Sequence, residues 1–290
     1  MLILGFSEYA SQAQALAEAL GAPFQQVHVH RFPDGEALVR LPQTLPEEVV
    51  FCRSLNDPDT KLIELILAAE TARTLGARRL ILVAPYLCYM RQDRAFHPGE
   101  AVSQRIIGHL LAEHFDALVS VDPHLHRTPR LEDAVPVSRA VALSAAPAIG
   151  RFLQDVAPGA LLLGPDEESE QWVAAAARSG GFEHGAACKE RLGDRRVRIR
   201  LPDLDYRDRQ VVLLDDVASS GETLAEAARG LLACGAARVD AAVTHALLAE
   251  GAEARMQGAG IARFWSTDSI PHPSNAIALA PLLAGALQED

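Results

Sequence analysis

Two adjacent carboxylates, Asp215 and Asp216, stand directly before a turn of small polar residues in the segment QVVLLDDVASSGET. Ser219 and Ser220 in that turn, and Thr223 just after it, carry hydroxyls that can donate hydrogen bonds to an anion. Carboxylates accept hydrogen bonds, which suits two neighbouring hydroxyls of a sugar. The spacing therefore predicts a site for a sugar phosphate.

The elements around this segment favour the same prediction. Val211 to Leu214 is a continuous apolar run, typical of a strand buried on both faces of a sheet. Thr223 to Cys234 is predicted to be a helix whose first amides and dipole face the turn and favour an anion there. A strand followed by a Ser/Gly turn is also compatible with ordinary helix capping. Neither G-x-x-x-x-G-K-[ST] nor G-x-G-x-x-G occurs in the chain.

Composition bounds the class of protein. A chain of 290 residues, 49% of them hydrophobic, can form one large or two mid-sized domains. A net charge of −11 argues against a basic face that binds nucleic acid. No apolar run approaches the roughly 20 residues of a membrane helix and no signal pattern opens the chain, so we expect a cytoplasmic protein without membrane partners. The cysteines lack C-x-x-C spacing, which argues against a zinc knuckle.

Strand and helix patterns alternate along the whole chain. Met1 to Phe6 and a stretch near Gln25 to His30 are predicted strands, and Ser7 to Leu20 between them is a predicted helix. The alternation recurs in the second half, which indicates a tandem duplication of one α/β unit. We place the two domains at residues 1–145 and 146–290.

Polar groups follow two other predicted strands. Arg91 and Arg94, beyond the strand Leu80 to Ala84, can stack on a purine or bind a phosphate, and they can equally form a surface salt-bridge cluster. His124 follows the strand Ala117 to Val121 and is either a metal ligand or an ordinary hydrogen-bonded residue. The residues alone leave these alternatives open.

Two further segments have plain structural interpretations. Arg31 to Glu36 contains Pro-Asp-Gly, one of the commonest turn signals. The strongly basic stretch from Lys189 to Arg200 is typical of a solvated hairpin, whose charges discourage further strand pairing.

Leu213 to Thr223 resembles the phosphoribosyl-diphosphate (PRPP) loop shared by type I phosphoribosyltransferases and ribose-phosphate pyrophosphokinases. Pro85-Tyr86, Tyr89 and Arg91-Gln92-Asp93-Arg94 match the pyrophosphokinase pattern nearly position for position, and phosphoribosyltransferases do not carry it. The resemblance covers nearly the whole chain. It implies two tandem phosphoribosyltransferase-like α/β domains with mainly parallel sheets flanked by helices, and transfer of diphosphate from Mg-ATP to ribose 5-phosphate by a homo-oligomer.

The same resemblance implies a role for each matching residue. The residues implied to bind ATP, partly across a subunit boundary, are Phe32, Asp34, Glu36, Arg91, Gln92 and Arg94. Those implied to bind ribose 5-phosphate are Asp215, Asp216, Ser219, Ser220, Gly221, Glu222 and Thr223. Lys189 and Arg191 correspond to catalytic cations, and His124 and Asp166 to ligands of Mg²⁺.

The sequence departs from the family pattern at two loops. Glu167, Glu168 and Glu170 stand where the family has glycines and a basic pair, and carboxylates there disfavour a diphosphate unless magnesium bridges them or the loop turns outward. In the PRPP loop, serines and Glu222 replace Asp, Thr and Gly, so we expect weaker phosphate binding. A phosphoribosyltransferase, a non-catalytic regulatory relative and a synthetase with another substrate remain alternatives.

Overall fold

The computed structural model describes residues 1–125, 127–191 and 197–289, with side chains for residues 1–125, 127–188 and 200–289. The chain divides into two compact units, Met1–Leu143 with Leu279–Asp290, and Ser144–Ala278. Within the described residues each unit contains a six-stranded sheet whose strand pairs are all parallel. The predicted class, α/β with two tandem parallel-sheet domains, is confirmed.

The first unit orders its sheet as β2-β1-β5-β6-β7-β8, and β3 and β4 form a separate antiparallel hairpin. Its strands are β1 (Leu2–Gly5), β2 (Phe24–Gln26), β3 (His28–Arg31), β4 (Ala37–Arg40), β5 (Glu48–Cys52), β6 (Arg79–Ala84), β7 (Ala117–Val121) and β8 (Arg139–Leu143). Its helices are α1 (Ala10–Leu20), α2 (Pro58–Thr74), α3 (Ser103–His114) and α4 (Leu131–Ala134).

The second unit has the sheet order β10-β9-β13-β14-β15-β16, beside an antiparallel pair β11–β12. Its helices are α5 (Ala146–Val156), α6 (Glu170–Gly180), α7 (Glu222–Ala233) and α8 (Ala252–Gly258). Its strands are β9 (Leu161–Gly164), β10 (Glu183–Ala186), β11 (Cys188–Arg191), β12 (Val197–Arg200), β13 (Gln210–Ala218), β14 (Arg238–Ala246), β15 (Ile261–Thr267) and β16 (Asn275–Ile277).

The C-terminal helix α9 (Ala280–Gln288) belongs to the first unit, where it packs against α1. Across the described part of the chain, no helix combines the length and the apolar character that crossing a membrane requires.

The central strand of the second unit is longer than its apolar run. Val211 to Leu214 is fully buried, as predicted, because β9 and β14 flank the strand and α6 and α7 pack against it. The strand continues beyond this run, since pairing with β14 extends through Asp215, opposite Val243, to Ala218. The backbone ladder needs no apolar side chains, so the acid pair lies within the paired strand itself.

A buried ion-pair cluster lies at the carboxyl edge of the first unit's sheet. Arg53, directly after β5, is only 3% exposed, and its guanidinium lies 3.8 Å from the ring centre of Phe6. It donates to Glu64 at 2.5 Å, to Glu8 at 2.6 Å and to the carbonyl oxygen of Lys61 at 3.0 Å. Two carboxylates thus balance one buried cation.

We predict that Glu64→Ala destabilises the protein by about 3–5 kcal/mol, because it leaves the charge of Arg53 buried with half of its compensation removed. Glu70→Ala on the same helix is the control, since Glu70 pairs with His114 at the surface and is 60% exposed. That change should cost less than about 1 kcal/mol. Urea unfolding followed by circular dichroism measures both, and equal shifts would contradict the role assigned to Glu64.

Candidate active site

Three carboxylates converge at the carboxyl edge of the second sheet. Asp216 is 5% exposed, and its backbone N–H donates to Oδ1 of Asp215 at 3.0 Å. Asp166 follows β9, which is the neighbour of β13 in the sheet. Burial raises the pKa of Asp215 well above its usual range, and the negative charges of Asp216 and Asp166 raise it further. The three negative charges therefore repel one another, and hydroxyl donors would relieve that repulsion.

A tight turn after β9 holds Asp166 in place. The buried hydroxyl of Ser169 donates to the carbonyl oxygen of Asp166 at 2.6 Å, and the amide of Ser169 donates to the Asp166 carboxylate at 3.2 Å. Gly164 permits this turn, since a Cβ there would lie 2.4 Å from Oγ of Ser169. The carboxylate is thus fixed by its own loop.

The acidic loop exposes its extra carboxylates to solvent. Glu167, Glu168 and Glu170 are all exposed, while Ser169 between them is buried. This exposure favours the expectation that the loop turns outward.

The predicted phosphate turn joins β13 to α7. Gly221 adopts a left-handed backbone (φ +73°), and a Cβ on it would lie 3.0 Å from Cγ of Met256 and 3.2 Å from the carbonyl oxygen of Ala252. Only glycine meets both demands. Ser220 Oγ accepts a hydrogen bond from the amide of Glu222 at 3.3 Å, and the Glu222 side chain is exposed. The first turn of α7 can therefore direct its amides to an anion.

A buried polar network lies at the ends of β14 and β15, and the sequence analysis did not assign it. His245 Nδ1 lies 2.9 Å from Oγ of Ser269, whose hydroxyl donates to the carbonyl oxygen of Thr244 at 2.8 Å. Thr267 Oγ1 donates to the same carbonyl at 2.6 Å. Polar residues that directly end two apolar strands were the available signal. The network braces the edge on which the acid pair lies.

In the first unit, the predicted nucleotide residues lie on an ordered loop after β6. The Glu100 carboxylate accepts hydrogen bonds from the backbone amides of Phe96 at 2.7 Å and His97 at 3.1 Å. It also accepts one from Nε2 of Gln92 at 3.4 Å. The hydrogen bonds from His97 and Phe96 lower the pKa of Glu100. The guanidinium of Arg94 lies 4.9 Å from the ring centre of Phe96. The structure thus brings Gln92 and Arg94 onto one loop.

The salt bridge described on this loop is not the predicted cluster, since Asp93 accepts from Arg127, outside the loop, at 2.7 and 2.9 Å. Arg91 is exposed. His124 emerges from the adjacent strand β7, where the amide of Val121 donates to the carbonyl oxygen of Pro85 at 3.2 Å. Arg91 and His124 therefore follow neighbouring strands at the same edge of the first sheet.

The tip of the β3–β4 hairpin displays three predicted residues to solvent. Phe32 is 41% exposed, and Asp34 and Glu36 are also exposed. The amide of Phe32 donates to the carbonyl oxygen of Glu36 at 2.9 Å, and the amide of Glu36 donates to Oδ1 of Asp34 at 3.1 Å. Directly before this turn, Arg31, the last residue of β3, pairs with the buried Glu64. The hairpin is thus anchored to α2 next to its exposed turn.

Lys189 and Arg191 lie on β11, and their backbones pair with Ile199 and Val197 of β12. This confirms the predicted hairpin, and the side chains of both cations lie outside the described part of the structure. Among the described residues, no group of three or more His, Cys, Asp or Glu is placed to hold a metal ion. His124 belongs to the first unit and Asp166 to the second, so their shared role in binding Mg²⁺ stays a prediction.

The raised pKa of Asp215 predicts a pH-dependent stability. Because the folded protein binds this proton more readily than the unfolded chain, the ionised carboxylate destabilises the fold at neutral pH. This destabilisation of the fold disappears as the pH falls towards about 4, the ordinary pKa of an aspartate. Without divalent cations, Asp215→Asn should raise the melting temperature at about pH 8, by about 2 to 4 °C per kcal/mol of repulsion removed, and change little at about pH 4.

Asp155→Asn is the matched control, because Asp155 is an exposed acid on α5 of the same unit. It should leave the melting temperature unchanged at both pH values. An equal rise in the melting temperature of Asp215→Asn at both pH values would contradict an electrostatic cause of the destabilisation.

Comparison with known proteins assigns the chain to a family. Residues 1–114 match the N-terminal domain of ribose phosphate pyrophosphokinase, and residues 184–271 match the phosphoribosyl transferase domain. The chain is 38% identical to the ribose-phosphate pyrophosphokinase of Methanopyrus kandleri over 99% of both chains, and 32% identical to that of Methanothermobacter thermautotrophicus over 99% of this chain and 100% of the relative.

The fold agrees with these sequence matches. The crystal structure of phosphoribosylpyrophosphate synthetase from Mycobacterium smegmatis superposes with a TM-score of 0.83 at 23% identity, covering 99% of this chain and 97% of that one. The chain belongs to the ribose-phosphate pyrophosphokinase family, as its Arg91-Gln92-Asp93-Arg94 segment predicted.

Proposed function

We propose that this protein transfers the diphosphoryl group of Mg-ATP to the anomeric hydroxyl of ribose 5-phosphate, forming PRPP and AMP. The anomeric oxygen attacks the β-phosphorus, the bond from that phosphorus to the α–β bridging oxygen breaks, and the hydroxyl proton passes to solvent. The observation that carries the proposal is the adjacency of a partly buried acid pair and a small polar turn on one strand–turn–helix segment.

The acid pair and the turn bind different parts of the sugar phosphate. Asp215 and Asp216 accept hydrogen bonds from the vicinal ribose hydroxyls, with Asp216 nearer the reacting carbon. Ser219 to Thr223 bind the 5-phosphate through backbone amides and hydroxyls. The exposed side chain of Glu222 is compatible with this role, since its amide donates to Oγ of Ser220 while its carboxylate is in solvent.

The carboxylates also fit the chemistry of Mg²⁺, which prefers oxygen ligands. The raised pKa of Asp215 supports this fit, since a cation beside Asp166 would relieve the repulsion. We propose that Asp166 and His124 hold the ion together with the phosphates of ATP. When bound, the ion neutralises charge on the transferring group.

The remaining residues bind and neutralise the nucleotide. Arg91, Gln92 and Arg94 contact ATP from the loop after β6, where arginines can stack on a purine and bind phosphate. The exposed hairpin tip supports a contact of Phe32, Asp34 and Glu36 with ATP in a neighbouring subunit, and hence a homo-oligomer. Lys189 and Arg191 stabilise the charge that develops as the diphosphoryl group moves.

The direct test is AMP formation from Mg-ATP and ribose 5-phosphate. AMP that requires both substrates supports the proposal. Diphosphate released from PRPP in the presence of a nucleobase would identify a phosphoribosyltransferase instead. ATP binding without turnover of any sugar phosphate would identify a non-catalytic relative.

Lys189→Ala should lower kcat by roughly 10²–10³ while changing the KM for ATP only a few-fold, because a cation that acts mainly in the transition state contributes little to ground-state binding. Glu167→Gln is the control, since this carboxylate faces solvent and its removal should change kcat less than about two-fold. Equal losses in kcat and in ATP affinity for Lys189→Ala would contradict the assigned role.

A further inference from the structure

Two hydrogen-bond donors bind carbonyl groups of the phosphate turn. The amide of Ala249, in the loop after β14, donates to the carbonyl oxygen of Ser219 at 3.1 Å. The guanidinium of Arg255, on α8, donates through Nη1 to the carbonyl oxygen of Ser220. Successive carbonyl groups of the turn are thus bound by a segment that follows the next strand of the sheet.

These contacts determine where the amides of the turn point. The carbonyl and the following N–H of one trans peptide unit point in opposite directions. When Arg255 binds the carbonyl oxygen of Ser220, it directs the N–H of Gly221 to the opposite side. The amide of Ala249 does the same for the N–H of Ser220 by binding the Ser219 carbonyl.

Packing of α8 against the turn supports this geometry. A Cβ on Gly221 would meet Met256 and the carbonyl oxygen of Ala252, so α8 and the turn are in close contact on either side of Arg255. The left-handed conformation of Gly221 is flexible on its own, because glycine populates many backbone angles. External hydrogen bonds are therefore needed to select one orientation of its amide.

We infer that Arg255 is a positioning residue for the 5-phosphate site. It binds the carbonyl oxygen of Ser220 and keeps the N–H of Gly221 directed at the anion, without contacting the anion itself. This inference rests on the proposed function, which makes that turn the binding site of a sugar phosphate.

Titration calorimetry with ribose 5-phosphate tests the inference in the full-length protein. Arg255→Met, which removes the donor, should weaken binding roughly ten-fold. Arg255→Lys, which keeps one donor, should bind within about three-fold of the parent. Arg229→Met is the matched control, because Arg229 is an exposed arginine further along α7 and its loss changes the net charge equally. Equal losses in Arg255→Met and Arg229→Met would overturn the inference.

Salt separates positioning from a direct charge contact. Raising the salt concentration from about 0.1 M to about 1 M shortens the screening length from about 10 Å to about 3 Å. A positioning residue keeps the same fold-difference between Arg255→Met and the parent in both conditions. A difference that vanishes at high salt would show that Arg255 attracts the phosphate by charge, and would overturn the inference.

Hydrogen exchange tests the turn without any ligand. The amides of residues 219–223 should exchange faster in Arg255→Met than in Arg229→Met, and unchanged exchange would overturn the inference. A parent protein that fails to bind ribose 5-phosphate would instead refute the proposed function, and the exchange measurement would still decide whether Arg255 orders the turn.

Discussion

Repulsion between Asp166, Asp215 and Asp216 is the constraint on which the second unit's site depends. Neighbouring parallel strands end at a common edge, so the residues that follow β9 and those that end β13 must meet there. The raised pKa of Asp215 reflects the resulting cost. A cluster of this kind destabilises an empty site, and it becomes favourable when hydroxyl donors and a cation arrive together. We propose that the same charge that opposes folding favours the hydroxyl groups of a sugar phosphate.

The first unit shows how the same architecture avoids this cost. In sheet order, β1 and β5 hold the positions that β9 and β13 hold in the second sheet. The residues that follow them include Glu8 and Arg53, which form an ion pair at 2.6 Å. Glu64 completes the compensation from α2. The charges that follow β1 and β5 are thus compensated within the first unit, whereas Asp166, Asp215 and Asp216 repel one another in the second.

The sequence predicted the features that depend on local pattern and missed those that depend on pairing. The apolar run Val211–Leu214 and the alternation of strands and helices were sufficient for the fold class. The extension of β13 to Ala218 has no signal in the apolar run, because its cause is the ladder with β14. The turn that holds Asp166 depends on the buried hydroxyl of Ser169, and the contact from Arg255 to Ser220 joins residues 35 apart. Neither contact has a signature in local sequence.

Discrimination between ribose 5-phosphate and 2-deoxyribose 5-phosphate tests the central claim that Asp216 binds the sugar hydroxyl beside the reacting carbon. Dissociation constants for both sugars, measured for the parent protein and for Asp216→Asn, form a thermodynamic cycle. We expect the parent to prefer the ribose form by roughly ten-fold or more, because the deoxy sugar leaves a buried acceptor unsatisfied. Asp216→Asn should lose most of that preference. An unchanged preference in the variant would contradict the account.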